Sequence, residues 1–194
     1  GEARLSHEQN LILADVAKRD LHALWQELRA NGLATPTVGL LTDIICCPGG
    51  DLCSLANAKS TPIAMAIQER LGDLDYLHDI GEVSLNISGC MNACGHHHVG
   101  NIGILGVDKR GEEWYQVSIG GCQGNHTTLG SILGPSFAAP EVPRVVEQLI
   151  DVYLESRHAD EIFIDTVERL GIAPFKARVY GSHDSTQDRK VANG

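Results

Sequence analysis

The sequence predicts a mixed α+β protein, and three observations carry that reading. Short apolar runs that read as strands lead into loops dense in cysteine and glycine. Two alternating segments flank a tight turn as a hairpin would, and the C-terminal part repeats its apolar residues at helical spacing. At 194 residues, with 43% hydrophobic and 21% charged residues, the chain is long enough to bury a real core. No run approaches the roughly 18 apolar residues of a membrane span, so no membrane partner is expected. The opening GEARLSHEQN lacks a basic-then-apolar export signal, which predicts a cytoplasmic protein. A formal charge of −10 without a basic stripe argues against nucleic acid as a partner. In that setting cysteines are read as metal or redox groups rather than as disulfide staples.

Taken in order, NLILADV (10–16) reads as a short strand. KRDLHALWQELRANG (18–32) reads as a helix with Leu21, Leu24, Trp25 and Leu28 on one face and Gly32 as its stop. TVGLLT (37–42) is expected to be a second strand that leads into CCPGGDLC. From Ser54 to Leu71 the pattern is helical, with Leu55, Ala58, Ile63, Ile67 and Leu71 as core positions. Pro62 should start a segment there or bend the helix, and Gly72 should end it. EVSLNIS (82–88) alternates polar and apolar residues, as a half-buried strand does. NIGILGV (101–107) and EWYQVSIGG (113–121) pair across DKRG, and the stretch 120–136 reads as a loop. PEVPRVVEQLIDVYLES (140–156) and ADEIFIDTVERLG (159–171) read as amphipathic helices. The polar residues 182–194 are expected to be a disordered tail.

The cysteines are grouped. Five residues separate Cys47 from Cys53 and three separate Cys90 from Cys94, with a helix and a strand expected between the pairs. Two short-range pairs from distant loops can supply four thiolates to one iron–sulfur cluster. Structural zinc more often uses tighter knuckles, and a thioredoxin-like site needs C-x-x-C, which is absent. Spacing alone favours a cluster and leaves zinc and unligated buried thiols open. Gly49, Gly50, Gly89 and Gly95 would let backbone N–H groups approach the sulfurs.

CPGGDLC followed by SGCMNACG resembles the C-x5-C and C-x3-C signature of the siroheme-containing sulfite and nitrite reductases. HEQNLILADV is similar to that family's Asn-rich strand before the cluster region, SIGGCQG stands in the place of its Gly-Gly loop, and the C-terminal helices match in position. The resemblance spans residues 5 to about 181. It implies part of a ferredoxin-like half-domain over 1–35, then a mixed-sheet [4Fe–4S]/siroheme domain with flanking helices over 36–181. It also implies that Cys47, Cys53, Cys90 and Cys94 hold a [4Fe–4S] cluster and that the Cys94 thiolate is in addition the axial ligand of siroheme. Asn92, Gly120 and Gly121 would then face the siroheme pocket. Sulfite would be reduced to sulfide, or nitrite to ammonia, with six electrons supplied by ferredoxin or a flavoprotein.

The family's enzymes are much longer, so the resemblance covers their C-terminal half. The N-terminal half of the same enzyme becomes a required partner, since 15 basic residues against 25 acidic ones are poorly suited to hold an octa-carboxylate and an anionic substrate. The chain alone is expected to be incomplete and inactive. A non-catalytic binding module stabilised by zinc or a cluster is the alternative.

The remaining candidates read more plainly. Cys46 breaks the paired spacing and is expected to be a small buried hydrophobe; Cys122 is expected to be a small residue in a tight loop. His96, His97 and His98 cannot all face one metal from an extended chain. Asn92 reads as a turn residue that tolerates a left-handed backbone. Trp25 and Trp114 read as core, and Gln9 and Asn10 match a stretch near the haem.

Overall fold

The computed structural model describes residues 1–181, which divide into two compact units, one over residues 1–38 and one from Gly39 onward. The expected disordered tail, 182–194, lies outside the described residues. Among these, no helix is long and apolar enough to cross a membrane.

The first unit is a hairpin and a helix. β1 (Glu2–Leu5) pairs antiparallel with β2 (Leu11–Ala14), and the Ser6 hydroxyl closes the turn by accepting the Asn10 N–H at 3.1 Å. Gln9, at φ 65°, lies in that turn with Asn10. A short 3-10 turn leads into α1 (Leu21–Ala30), as its spacing predicts, yet none of its residues is buried and Trp25 is 44% exposed. Trp25 is thus no core residue; it carries the Arg29 guanidinium over its ring instead.

The second unit is built on a mixed sheet whose strands run, in spatial order, β3 (Ile45–Cys46), β4 (Leu85–Ser88), β5 (Ile102–Lys109), β6 (Glu112–Ile119) and β7 (Ser131–Ile132), with β8 (Phe137–Ala138) also against β6. Residues 37–42 do not form the expected strand. Gly39 takes φ +79°, its N–H is held by the Asp43 carboxylate at 2.9 Å, and the chain turns; the strand follows as β3, Ile45–Cys46. α2 (Thr61–Leu71) starts later than periodicity implies, because Pro62 occupies its first turn, where the missing N–H costs nothing. Ala58, Ile63, Ile67 and Leu71 are buried as expected, whereas Leu55 lies in the preceding loop and is 70% exposed. α3 (Leu74–Ile80), which periodicity did not reveal, is capped by Asp73 accepting the Tyr76 N–H.

β4 (Leu85–Ser88) runs parallel to β3 on one side and to β5 (Ile102–Lys109) on the other. β5 and β6 (Glu112–Ile119) form the expected hairpin across Arg110 and Gly111, both at positive φ as a tight two-residue turn requires. β7 (Ser131–Ile132) adds a short antiparallel pairing within the stretch 120–136 read as a loop, and β8 (Phe137–Ala138) adds another just after it. α4 (Val142–Ser156), α5 (Phe163–Leu170) and a helix over 173–181 complete the unit. Leu85, Ile87, Ile102, Ile104 and Val117 form one core with Ile67 of α2 and Leu149 of α4. Trp114 is only half-buried, with the Lys109 ammonium over its ring, so it too falls outside the core.

The other face of β4 carries polar side chains. Asn86 and Ser88 are fully buried, so β4 is not the half-buried strand that its alternation predicts. Parallel neighbours need a crossover, and the β4–β5 crossover is the stretch 89–101, which contains Cys90 and Cys94. It folds back over the polar side of β4 and shields it from water.

Candidate cluster site

Both cysteine loops leave the same end of adjacent parallel strands. Ile45 pairs with Asn86 and Cys46 with Ile87, so Cys47 follows the end of β3 and Gly89 follows Ser88 at the end of neighbouring β4. Their loops are stitched together. The Gly89 N–H donates to Cys47 Sγ at 3.1 Å, and the Asn57 and Ala58 N–H groups donate to the Gly89 carbonyl. The Cys53 N–H donates to the Gly49 carbonyl at 2.9 Å, which closes CPGGDLC into a compact turn. Glycine is required twice here. Gly49 sits at φ +62°, and a Cβ on Gly89 would lie 2.6 Å from the Ala58 carbonyl oxygen.

The second loop is held from beneath by the polar face of β4. The Asn86 amide donates to the Gly95 carbonyl at 2.9 Å, and the Ser88 hydroxyl accepts the Gly95 N–H at 3.1 Å. Alternation in EVSLNIS puts Asn86 and Ser88 on its polar face, and the crossover packed against that face explains their burial. Ala93 and His96 take left-handed backbone at φ 55° and 54°. Asn92, expected to be the left-handed turn residue, has no positive φ and is exposed. Strain of this kind costs about 1–2 kcal/mol per residue and concentrates where the surroundings fix the loop.

Cys47 and Cys90 are buried, Cys53 is half-buried and Cys94 is exposed. Among the described residues, no three His, Cys, Asp or Glu side chains gather closely enough to hold a single metal ion. A cubane cluster takes each thiolate on a different iron, so its ligands are spread more widely than those of one ion. Buried sulfur, backbone N–H donation to it and glycine at the close approaches fit such a cluster.

Gly120 and Gly121 lie against the continuation of the second loop. Gly120 is at φ +86°, the Gly121 carbonyl accepts from the Asn101 amide, and the Gly130 N–H donates to the His98 carbonyl. Cys46 is half-buried with its thiol donating to the Cys47 carbonyl at 3.2 Å. Burial, and then the neighbouring Cys47, push its pKa up to about 12, as for a structural thiol. Cys122 is half-buried and bridges to Thr128 within its loop.

The three histidines are not extended, contrary to expectation. His97–Val99 forms a 3-10 turn that buries His97 and leaves His96 and His98 exposed. The His97 and His98 rings lie 3.9 Å apart, and buried His97 Nδ1 has no hydrogen-bond partner among the described residues. Burial, and secondarily the adjacent His98, lower the His97 pKa from 6.5 to about 4. Unfolding releases a histidine that protonates more readily. His97 therefore supports the fold fully above pH 6.5, and that support is lost as the pH falls toward 4. About 3 kcal/mol is at stake across this window. Urea midpoints of the apo chain should fall between pH 6.5 and 4.5, before most carboxylates titrate, and His97→Gln should flatten that slope. An equal slope in the variant would remove His97 as its source.

Two cysteine-bearing loops, seated on the ends of parallel strands and fastened to each other through backbone N–H donation to sulfur, define a cluster-type redox domain. Residues 39–187 match the family model described as the nitrite and sulphite reductase 4Fe-4S domain, and the chain belongs to that family. Membership implies a [4Fe–4S] cluster and siroheme as cofactors. An assimilatory-type sulfite reductase of Nitratidesulfovibrio vulgaris is 25% identical over 179 residues, 92% of this chain and 78% of that protein. A ferredoxin–nitrite reductase of Synechococcus elongatus is 30% identical over 155 residues, 77% of this chain and 30% of that protein. The solved structure of the Mycobacterium tuberculosis NirA protein superposes with a TM-score of 0.75 at 25% identity, covering 89% of this chain and 33% of that one. The expectation that relatives are much longer holds for the last two. It does not hold for the assimilatory-type enzyme, most of whose length this chain spans.

Proposed function

We propose that this chain is the cluster-bearing region of a siroheme-dependent reductase that delivers six electrons to sulfite, giving sulfide, or to nitrite, giving ammonia. Cys47, Cys53, Cys90 and Cys94 are the cluster ligands, and Cys94 is shared with the siroheme iron. The observation that carries this reading is the Gly89 N–H donated to Cys47 Sγ, which fastens one cysteine motif to the other across neighbouring strands. Exposure of Cys94 agrees with its role, since a thiolate shared with a second cofactor has to reach the protein surface. Cluster and siroheme supply the electron-transfer chemistry when bound. The chain's part is to fix the thiolates, keep water from Cys47 and Cys90, and hold Asn92, Gly120 and Gly121 at the siroheme rim.

The break at Val38 and Gly39 lies close to the proposed boundary between a ferredoxin-like portion, 1–35, and the cluster domain, 36–181. Acidic residues outnumber basic ones by 25 to 15. On that balance we assign the cations for siroheme carboxylates and substrate to an N-terminal half, as a partner beyond the span shared with the assimilatory-type relative, and the electron donor to ferredoxin or a flavoprotein. We place the enzyme in the cytoplasm.

Anaerobic reconstitution with iron and sulfide tests the assignment. The expected product is brown, with four irons and four sulfides per chain, and its visible absorption bleaches on reduction. Colourless binding of one zinc per chain, with no iron–sulfur chromophore, would sink the reading in favour of a zinc-stabilised binding module.

A further inference from the structure

The hydroxyl of Ser60 does not do what a serine at the start of a helix ordinarily does. Ser60 is the N-cap of α2, where a serine hydroxyl ordinarily accepts an N–H of the first turn. No such side-chain bond is made. Pro62, in that turn, has already removed one of the donors a cap would satisfy. Ser60 is instead fully buried, and its Oγ lies 3.4 Å from Cys47 Sγ.

Two glycines make room for this contact. A Cβ on Gly49 would lie 2.7 Å from Ser60 Oγ and collide with the Ser60 N–H, and a Cβ on Gly89 would lie 2.9 Å from the same Oγ. The Gly89 N–H also points at Cys47 Sγ, at 3.1 Å. One sulfur thus faces two donors, a hydroxyl and an amide. A thiolate bound to iron has no proton to give, so in the loaded protein Ser60 donates and Cys47 accepts.

We propose that Ser60 is a positioning residue that sets the reduction potential of the cluster through a hydrogen bond to the Cys47 thiolate. The proposal rests on the assignment of Cys47 as a cluster ligand. A hydrogen bond draws electron density from the thiolate and stabilises the reduced cluster, so it raises the potential. Burial of Ser60 keeps water from replacing the hydroxyl when it is removed.

The experiment is an EPR-monitored redox titration of anaerobically loaded wild type, Ser60→Ala and Ser60→Thr. Cluster formation in the wild type is scored first, and a wild-type chain that takes up no cluster overturns the ligand assignment and this proposal with it. Given a cluster, Ser60→Ala should move the one-electron reduction equilibrium about tenfold toward the oxidised form, a shift of about 59 mV to lower potential. Ser60→Thr, which keeps the hydroxyl, should restore most of it. A wild-type potential in Ser60→Ala, even with a lowered melting temperature, would mean that the serine is merely structural and would overturn the proposal. Should Ser60→Ala fail to hold a cluster, double-resonance spectra of the reduced wild type decide. A brief exposure to D2O should remove one strongly coupled hydroxyl proton while the slowly exchanging Gly89 amide remains. Absence of any rapidly exchanging coupled proton overturns the proposal.

Discussion

Replacing Cys94 with serine in the complete, loaded enzyme is expected to abolish six-electron reduction, while Cys46→Ser and Cys122→Ser leave the cluster in place. The difference follows from what each sulfur can reach. Cys94 is the exposed thiol of a loop anchored to β4 through Gly95 and is proposed to serve two cofactors, so its loss removes a cluster ligand and an axial ligand together. Cys46 donates its S–H hydrogen bond to the Cys47 carbonyl, with its pKa pushed up to about 12 by burial, and is not prepared to act as a thiolate. Cys122 lies in the loop closed by Thr128, outside the paired motif. Low-temperature EPR or Mössbauer spectra, read beside turnover, separate the three variants. Loss of exchange coupling is expected in Cys94→Ser even if a serine oxygen or a three-iron cluster partly substitutes. A Cys94→Ser enzyme with full coupling and turnover places the bridge elsewhere. Loss of the cluster in Cys46→Ser with its retention in Cys47→Ser shifts the register of the first pair by one.

The second large effect is expected at Gly95, where the space is closed by backbone. A Cβ there would overlap the Ile87 carbonyl oxygen and lie 2.8 Å from its carbon, in β4, and 3.2 Å from Ser88 Oγ. A side chain could rotate away, but a strand buried on both faces cannot. Gly95→Ala should cost about 3 kcal/mol, lowering the melting temperature by roughly 6–12 °C for a domain of this size. It should also displace the Asn86 and Ser88 hydrogen bonds that hold the Cys90–Cys94 loop, so cluster yield on reconstitution should fall with stability. Gly50→Ala is the control. Its Cβ would meet Ala58 at an ordinary 3.5 Å without a positive φ, and a change within about 0.5 kcal/mol is expected. Equal midpoints for Gly95→Ala and wild type, in denaturant or heat, would show that the crossover does not lie as tightly on β4 as described.

Some of this was legible along the chain. The paired cysteines, the β5–β6 hairpin, α1, α4, α5 and the core of α2 rest on local signals: fixed spacing, a turn dipeptide, and apolar residues repeating at one period. Such signals survive because neighbours in sequence determine them. The fold class follows from them, and the mixed sheet with flanking helices agrees; the family comes instead from the resemblance of the two cysteine motifs.

Tertiary structure alone decided what lies against the polar residues. The alternation in EVSLNIS marks two faces but cannot say whether water or protein meets the polar one. Here the 89–101 crossover covers it, turning Asn86 and Ser88 from surface residues into anchors of the cysteine loop. Ser60 falls inside the run 54–71 that reads as helical; in the fold it is the N-cap of α2, and the packing of Gly49 and Gly89 brings its hydroxyl to Cys47. Trp25 and Trp114 read as core because they are large and apolar, yet each supports a cation at the surface. The left-handed residues proved to be Ala93 and His96 rather than Asn92. In each case the deciding partner is a segment distant in sequence or a backbone constraint imposed from outside the loop. Local propensity, worth a fraction of a kcal/mol per residue, yields to burial and hydrogen bonding that only the folded chain supplies.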